Sequence, residues 1–243
     1  MQTREAYVRE LIRRRYRRHA DDGEWGGRAR AVRVGYDPCR LDALPAAAVE
    51  KWAGCGNVAA GAPLAGVSVV VDLGAGAGID GLLIAATPAR PLVVAVDLSP
   101  EMLALRGAEP QDRLVRVAGD FERLPLADGI ADLVVANAAL NLALDPDAAF
   151  AEAWRVLRPG GRLHICDLVR DGELPPELMT DPLAWSTSLG GVLAADHLVA
   201  VIAGAGFEDV TITGHRPFPP VVSVNVNALK PAGAPPASRG MRQ

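Results

Sequence analysis

The chain is poor in the residues that would place it in several familiar classes. It has three cysteines in 243 residues, Cys39, Cys55 and Cys166, and no C-x-x-C pair. That excludes a disulfide framework and a cysteine-paired metal centre, so no metal is expected. Aromatic residues make up only 5% of the chain, which leaves few platforms on which bases could stack. Neither sign of charge dominates: 25 basic and 29 acidic residues leave a net charge of −4, giving no electrostatic case for a nucleic-acid partner. Half the residues are hydrophobic, yet no apolar run approaches the roughly 18 to 20 residues that would span a bilayer. The start, MQTREAYVRELIRRRYRRHA, is basic and lacks the apolar centre and small-residue cleavage site of a secretory signal. The expectation is a cytoplasmic protein without a membrane partner, a monomer or homodimer, of one α/β domain with additions.

What is present centres on Val69 to Gly81, VVVDLGAGAGIDG. The β-branched run predicts a strand buried on both faces, and the glycines mark a sharp turn where a Cβ would be in the way. A dinucleotide fold wants G-x-G-x-x-G, whereas the spacing here is G-x-G-x-G at Gly74, Gly76 and Gly78, with Asp72 two residues before the first.

Before that stretch, residues 3 to 20 read as a helix with Tyr7, Leu11 and Tyr16 on one face and arginines around the rest, a solvated charged face in the main. Residues 21 to 35 are polar and glycine-rich and predict a mobile loop; Leu44 to Trp52 reads as a short helix with Pro45 near its first turn. After it, apolar runs alternate with helical patterns. Strands are expected at Val67–Leu73, Leu92–Asp97, Leu114–Ala118, Ala131–Ala136 and Arg162–Leu168, with helices starting near Ile79, Pro100 and Asp147. A helix over Asp196–Ala205 precedes strands at Asp209–Thr213 and Val221–Leu229, joined tightly enough to be antiparallel. The tail from Pro231 is expected to be disordered.

Two acidic strand ends complete a candidate ligand site. Asp97 ends the second strand, where a carboxylate can accept from both hydroxyls of a ribose. Asp120 and Phe121 follow the third; a carboxylate there can take an exocyclic amine while the phenyl ring faces a base. All lie on the carboxyl edge, where open α/β sheets bind ligands.

The glycine turn resembles motif I of the class I S-adenosylmethionine (SAM) methyltransferases. With GCGN at 54–57, VAVDLSPEML at 94–103, AGDFERLPL at 118–126, ADLVVANAALNL at 131–142, FAEAWRVLRPGGRL at 150–163 and WSTSLGGVL at 185–193, the chain is similar to the arsenite methyltransferases from about Tyr36 to Pro231. The resemblance implies a Rossmann-like fold: a seven-stranded, mostly parallel sheet with helices on both faces and an antiparallel edge strand. It also implies an N-terminal cap over 1–66, a SAM domain over 67–230 and a substrate-cap insertion near 169–195. SAM would be held by Asp72, Gly74, Gly76, Gly78, Asp97, Leu98, Met102, Asp120, Phe121 and Asn137.

The substrate does not follow so directly. That family holds trivalent arsenic through three cysteine thiolates. One matches Cys55; at the other two positions stand Ala138 and Ser188, and Cys166, inside a strand, reads as a small core residue. A pocket with apolar walls and a hydroxyl suits a small organic molecule, methylated at O, N, S or an activated carbon. The expected acceptor site comprises Cys55, Ala138, Asn141, Trp185 and Ser188, with Asp167, Asn141 and Cys55 as candidate catalytic groups. His164, mid-strand, reads as a satisfied core histidine. Alternatives are arsenite itself, a SAM-binding protein that promotes a cyclisation or rearrangement, and, more distantly, a dehydrogenase.

Overall fold

The computed structural model describes residues 3–22, 27–105, 112–176, 183, 185 and 189–233. Seven strands form one sheet: β1 (Val69–Leu73), β2 (Leu92–Asp97), β3 (Leu114–Ala118), β4 (Ala131–Asn137), β5 (Leu157–Val169), β6 (Glu208–Phe218) and β7 (Val221–Leu229), in the order β3-β2-β1-β4-β5-β7-β6. The pairs β1–β2, β1–β4, β2–β3 and β4–β5 are parallel, and β7 runs antiparallel to both β5 and β6. The antiparallel strand is therefore one place in from the edge. Composition explains why: VVSVNVNAL is buried along most of β7, while EDVTITGHRPF leaves β6 largely exposed, as an edge strand tolerates.

The continuous apolar runs serve two cores. In β4, Val134 and Ala136 face the layer that holds Phe150, Val156 and Ile202; Leu133 and Val135 face the layer of Leu82, Leu83, Ile84 and Val58. Side chains alternate across a strand, so a sheet covered on both sides needs both sets apolar. Helices α6 (Ile79–Ala85), α7 (Pro100–Ala104), α8 (Pro146–Val156) and α9 (Ala195–Gly204) provide the cover. Ser99 and Asp145 accept amide hydrogens at the starts of α7 and α8, each followed by a proline at N1. β5 begins earlier than the expected Arg162, because Pro159-Gly160-Gly161 is absorbed as an irregularity in its pairing with β4.

The N-terminal region packs on the carboxyl edge and one face of this sheet. It holds α1 (Arg4–Asp22), α2 (Gly27–Arg33), α3 (Pro38–Asp42), α4 (Ala46–Glu50) and α5 (Val58–Gly61). Two expectations are corrected. The inward stripe of α1 is the buried Val8, Ile12 and Ala20 with the half-buried Tyr16, spaced by four, while Tyr7 is 48% exposed. Within the expected loop 21–35, residues 27–33 form α2, because Ala31 is fully buried and Arg30 lies 4.6 Å over the Phe218 ring. Most of 177–188 and all of 234–243 lie outside the described residues, as do the expectations for them. No described helix is long and apolar enough to cross a membrane.

Candidate functional site

The turn after β1 folds through three left-handed residues, Gly74 (φ +63°), Gly76 (+53°) and Gly78 (+82°). A Cβ on Gly74 would lie 2.4 Å from the Cβ of Ala139, so the backbone of this turn approaches the β4 loop as only glycine permits. Asp97 pins the turn: its Oδ2 accepts from the Gly76 amide (2.7 Å) and its Oδ1 from the Ser99 amide (2.8 Å). Above the turn opens a cleft with an empty volume of about 1000 Å³, open to solvent.

Every residue expected to hold a cofactor lines this cleft: Asp72, Gly74, Gly76, Gly78, Asp97, Leu98, Met102, Asp120, Phe121 and Asn137, and Ala138 joins them. Three glycines leave room beneath a ligand, the β2 and β3 ends supply carboxylates, and Leu98, Met102 and Phe121 give apolar surface. That set fits the amino-acid, ribose and adenine portions of SAM.

α1 forms the roof. Arg9, Ile12, Arg13 and Tyr16 line the cleft from above, and Val8 and Ile12 pack with Leu98, Phe121, Leu142 and Trp185. Arg9 Nε donates to Asp120 Oδ2 (2.9 Å), and its other nitrogen pairs with Glu122. The Glu122 carboxylate also accepts from the Leu144 amide (2.6 Å), and burial raises its pKa above the ordinary value. Asp120 is thus already engaged by the roof.

On the other side, Asn137 ends β4 and organises a buried network. Its Oδ1 accepts from the amides of Cys55 (2.9 Å) and Gly56 (3.3 Å), and its Nδ2 donates to the Gly56 carbonyl (2.7 Å) and to Asp80 Oδ2 (2.9 Å). Tyr36 Oη donates to Asp80 Oδ1 at 2.6 Å. Burial raises the Asp80 pKa, and the Tyr36 and Asn137 hydrogen bonds oppose it. The residue after Asn137, Ala138, holds φ +53°, an uncommon geometry for a side chain with a Cβ.

The expected catalytic groups sit behind the cleft wall. Asp167 is buried, and its carboxylate accepts from the amides of Leu140 (2.9 Å), Asn141 (3.3 Å) and Leu168 (2.7 Å). It holds the 3₁₀ turn Leu140–Leu142 against β5, and burial raises its pKa to about 6. Neither Asp167 nor Asn141 lines the cleft. Cys55 is also buried, its thiol directed at Cys166. For Asp167 and Cys55 the physical reason is shared: each is spent on backbone or neighbouring atoms in the low-dielectric layer beneath the loops. Trp185 Nε1 donates to the Leu142 carbonyl (3.3 Å), beside the roof; Ser188 lies outside the described residues. His164 behaves as expected, bonded to Asn227 Oδ1 (2.7 Å) and the Val58 carbonyl (3.2 Å).

Arg9, Glu122, Tyr36 and Asp80 were not legible as site residues. Asp80, an acid in the first turn of an otherwise apolar helix, carried a signal; Arg9 did not, since its partners are more than a hundred residues away.

Sheet order, glycine turn and cleft together define a class I methyltransferase fold with SAM as its cofactor. The methyltransferase-domain family matches residues 71–165. An arsenite methyltransferase of Halobacterium salinarum is 34% identical over 199 residues, covering 79% of this chain and 50% of the relative. An arsenite methyltransferase of Aquipseudomonas alcaligenes is 33% identical over 191 residues, covering 74% and 54%. The chain spans about half the length of these relatives. The crystal structure of an arsenic(III) SAM methyltransferase from Chlamydomonas reinhardtii superposes with a TM-score of 0.67 at 26% identity, over 79% of this chain and 72% of that one. The chain carries a class I, SAM-dependent methyltransferase domain and resembles the arsenite methyltransferases.

Proposed function

We propose that the protein transfers a methyl group from SAM to a small organic acceptor rather than to arsenite. The observation that carries this reading is the acceptor-side wall. Ala138, Ala139, Leu142 and Leu144 line it, and no cysteine is among the described lining residues. Ala138 stands where the resemblance puts a second arsenic-binding cysteine, and the Cys55 thiol is turned into the protein. A soft trivalent ion needs thiolates around it, whereas apolar walls with few polar groups suit an organic molecule.

In this reading the glycine turn carries the methionine end of SAM, Asp97 takes the ribose, and Phe121, Leu98 and Met102 enclose the adenine, with Asp120 shared between its amine and Arg9. Bound SAM supplies a methyl group made electrophilic by a sulfonium. The chain contributes position and dryness: Ile12, Phe121, Leu142 and Trp185 close an apolar roof that excludes water and holds the acceptor in line. Glu122 and Asp80 are cleft carboxylates with raised pKa values, yet Arg9 and two backbone amides already engage the first, and Tyr36, Asn137 and the Ala59 amide the second. The acceptors favoured are therefore those that need little help losing a proton, such as amines, thiols and acidic hydroxyls.

The test is incubation of the full chain with methyl-labelled SAM and a panel of such acceptors, beside arsenite with a small thiol. Label on an organic acceptor and none on arsenic is the expected result. Methylated arsenicals would overturn the proposal and favour the activity of the two arsenite methyltransferase relatives.

A further inference from the structure

Behind the acceptor-side wall, two cysteines 111 positions apart meet. The Cys55 thiol donates to Cys166 Sγ at 3.8 Å, and both residues are almost fully buried. The Ser223 hydroxyl lies 3.3 Å from Cys166 Sγ and donates to the Cys55 carbonyl at 3.0 Å. Gly56 makes the approach possible: a Cβ there would lie 2.1 Å from Cys166 Sγ and 3.0 Å from an Arg216 guanidinium nitrogen. Thiol and guanidinium thus converge on one glycine. That nitrogen is buried and has no hydrogen-bond partner among the described residues. The Cys55 hydrogen bond first, then Ser223 and to a smaller extent Arg216, hold Cys166 below the ordinary thiol pKa, while burial and the Asp167 charge act the other way.

We propose that Cys55 and Cys166 form a reversible, peroxide-sensitive dithiol, whose oxidation to a disulfide weakens SAM binding. Three features point there. The sulfurs are already in contact, so closing to the disulfide length of about 2.05 Å needs only a small movement of the Gly-Cys-Gly loop. A cation beside one thiol favours its thiolate, the reactive form. Both thiols are buried, so the oxidant that suits them is a small hydroperoxide rather than a bulky disulfide. In the first step the Cys166 thiolate attacks one peroxide oxygen; the O–O bond breaks, and the product is a sulfenic acid plus water. In the second, the Cys55 sulfur displaces the sulfenic hydroxyl, forming the S–S bond and releasing a second water. Two thiols are oxidised and one peroxide is reduced.

The coupling to SAM follows from the loop. Gly54 lines the cleft, and the amides of Cys55 and Gly56 hang on Asn137, which also lines it. Drawing Cys55 toward β5 pulls this loop off Asn137. Loss of one or two such hydrogen bonds corresponds to about a tenfold weakening of SAM affinity.

The experiment uses the full chain with Cys39→Ser, since Cys39 is exposed and would react on its own account. SAM affinity of the reduced protein is measured first by calorimetry, so that failure to bind the cofactor is recognised separately. The protein is then treated with equimolar hydrogen peroxide, and its peptides are mapped without reduction. The expected result is a peptide pair joined through Cys55 and Cys166, about tenfold weaker SAM binding, and recovery of both on adding dithiothreitol. Cys166→Ser, or Cys166→Ala should the serine variant fold poorly, is expected to bind SAM regardless of peroxide. Arg216→Gln is expected to slow cross-linking about tenfold. Cysteines that stay alkylatable after peroxide treatment would overturn the proposal, and so would a cross-link that leaves SAM affinity unchanged.

Discussion

The glycine-turn side of the cleft, which fits the cofactor, and the side proposed for the acceptor meet at Asn137, yet they are assembled from different lengths of chain. On the cofactor side, Gly74 to Gly78, Asp97 to Met102, and Asp120 with Phe121 each sit within a few residues of a strand end. On the side proposed for the acceptor, Trp52 to Gly54, Ala138, Ala139, Leu142, Leu144, Trp185 and the roof residues of α1 arrive from distant segments. The first side is held by short-range hydrogen bonds such as Asp97 to Ser99. The second depends on the half-buried Asn137 and the buried Asp80 and Asp167, which tie loops to the sheet. A cofactor common to many enzymes can be served by a turn; an acceptor pocket is shaped by what the loops bring.

If the comparison holds, a change in the turn should strike binding before stability. Gly74→Val combines a left-handed φ with a clash against Ala139, and an effect of about 3 kcal/mol, roughly a hundredfold in SAM affinity, is expected by calorimetry. A change at Asn137, where the two sides meet, should lower stability as well as SAM affinity. Asn137→Ala strands the Cys55 and Gly56 amides and Asp80, so a loss of about 2 to 3 kcal/mol in unfolding free energy is expected by denaturant titration.

Asp167 gives the same contrast a pH signature. Its folded pKa, about 6, lies above the value of about 3.9 expected unfolded. The unfolded chain releases the proton first, so between pH 4 and 6 rising pH favours unfolding, and above 6 the penalty of the buried charge is complete. Relative to Asp167→Asn, the natural protein should lose about 2 to 3 kcal/mol of stability from pH 4 to 7. Equal pH profiles would mean that this carboxylate titrates normally.

Smaller effects probe the boundary. The Arg9 side chain is 33% exposed, so Arg9→Ala should lower stability by no more than about 1 kcal/mol. It should also raise the KM for SAM several-fold by loosening the roof, and an unchanged KM would remove α1 from the site. Ala138→Gly relieves a left-handed alanine and should shift the Tm upward by a few degrees at most.

Much of the fold was legible. β2, β3 and β7 begin and end where expected: β2 is a buried, nearly unbroken run of Leu, Val and Ala, whereas β3 and β7 show themselves by Val and Leu recurring between single polar residues. The expected strands at 162–168 and 209–213 are shorter than β5 and β6, since a glycine pair can be taken into a strand and an exposed edge strand has no apolar run. α2 was read as loop because its composition is polar and its stability comes from packing Ala31 and Arg30 against other elements.

The sequence by itself determined the glycine turn and the acid at each neighbouring strand end. Those are local geometry: a left-handed backbone needs glycine, and a strand end presents its side chains to the carboxyl edge wherever the strand lies. Only the tertiary structure decided which polar groups face the cleft and which are consumed behind it, that Arg9 reaches Asp120, and that Cys55 meets Cys166. Partners so far apart carry no pattern in spacing, because their proximity is created by the order of the sheet and by the loops packed upon it.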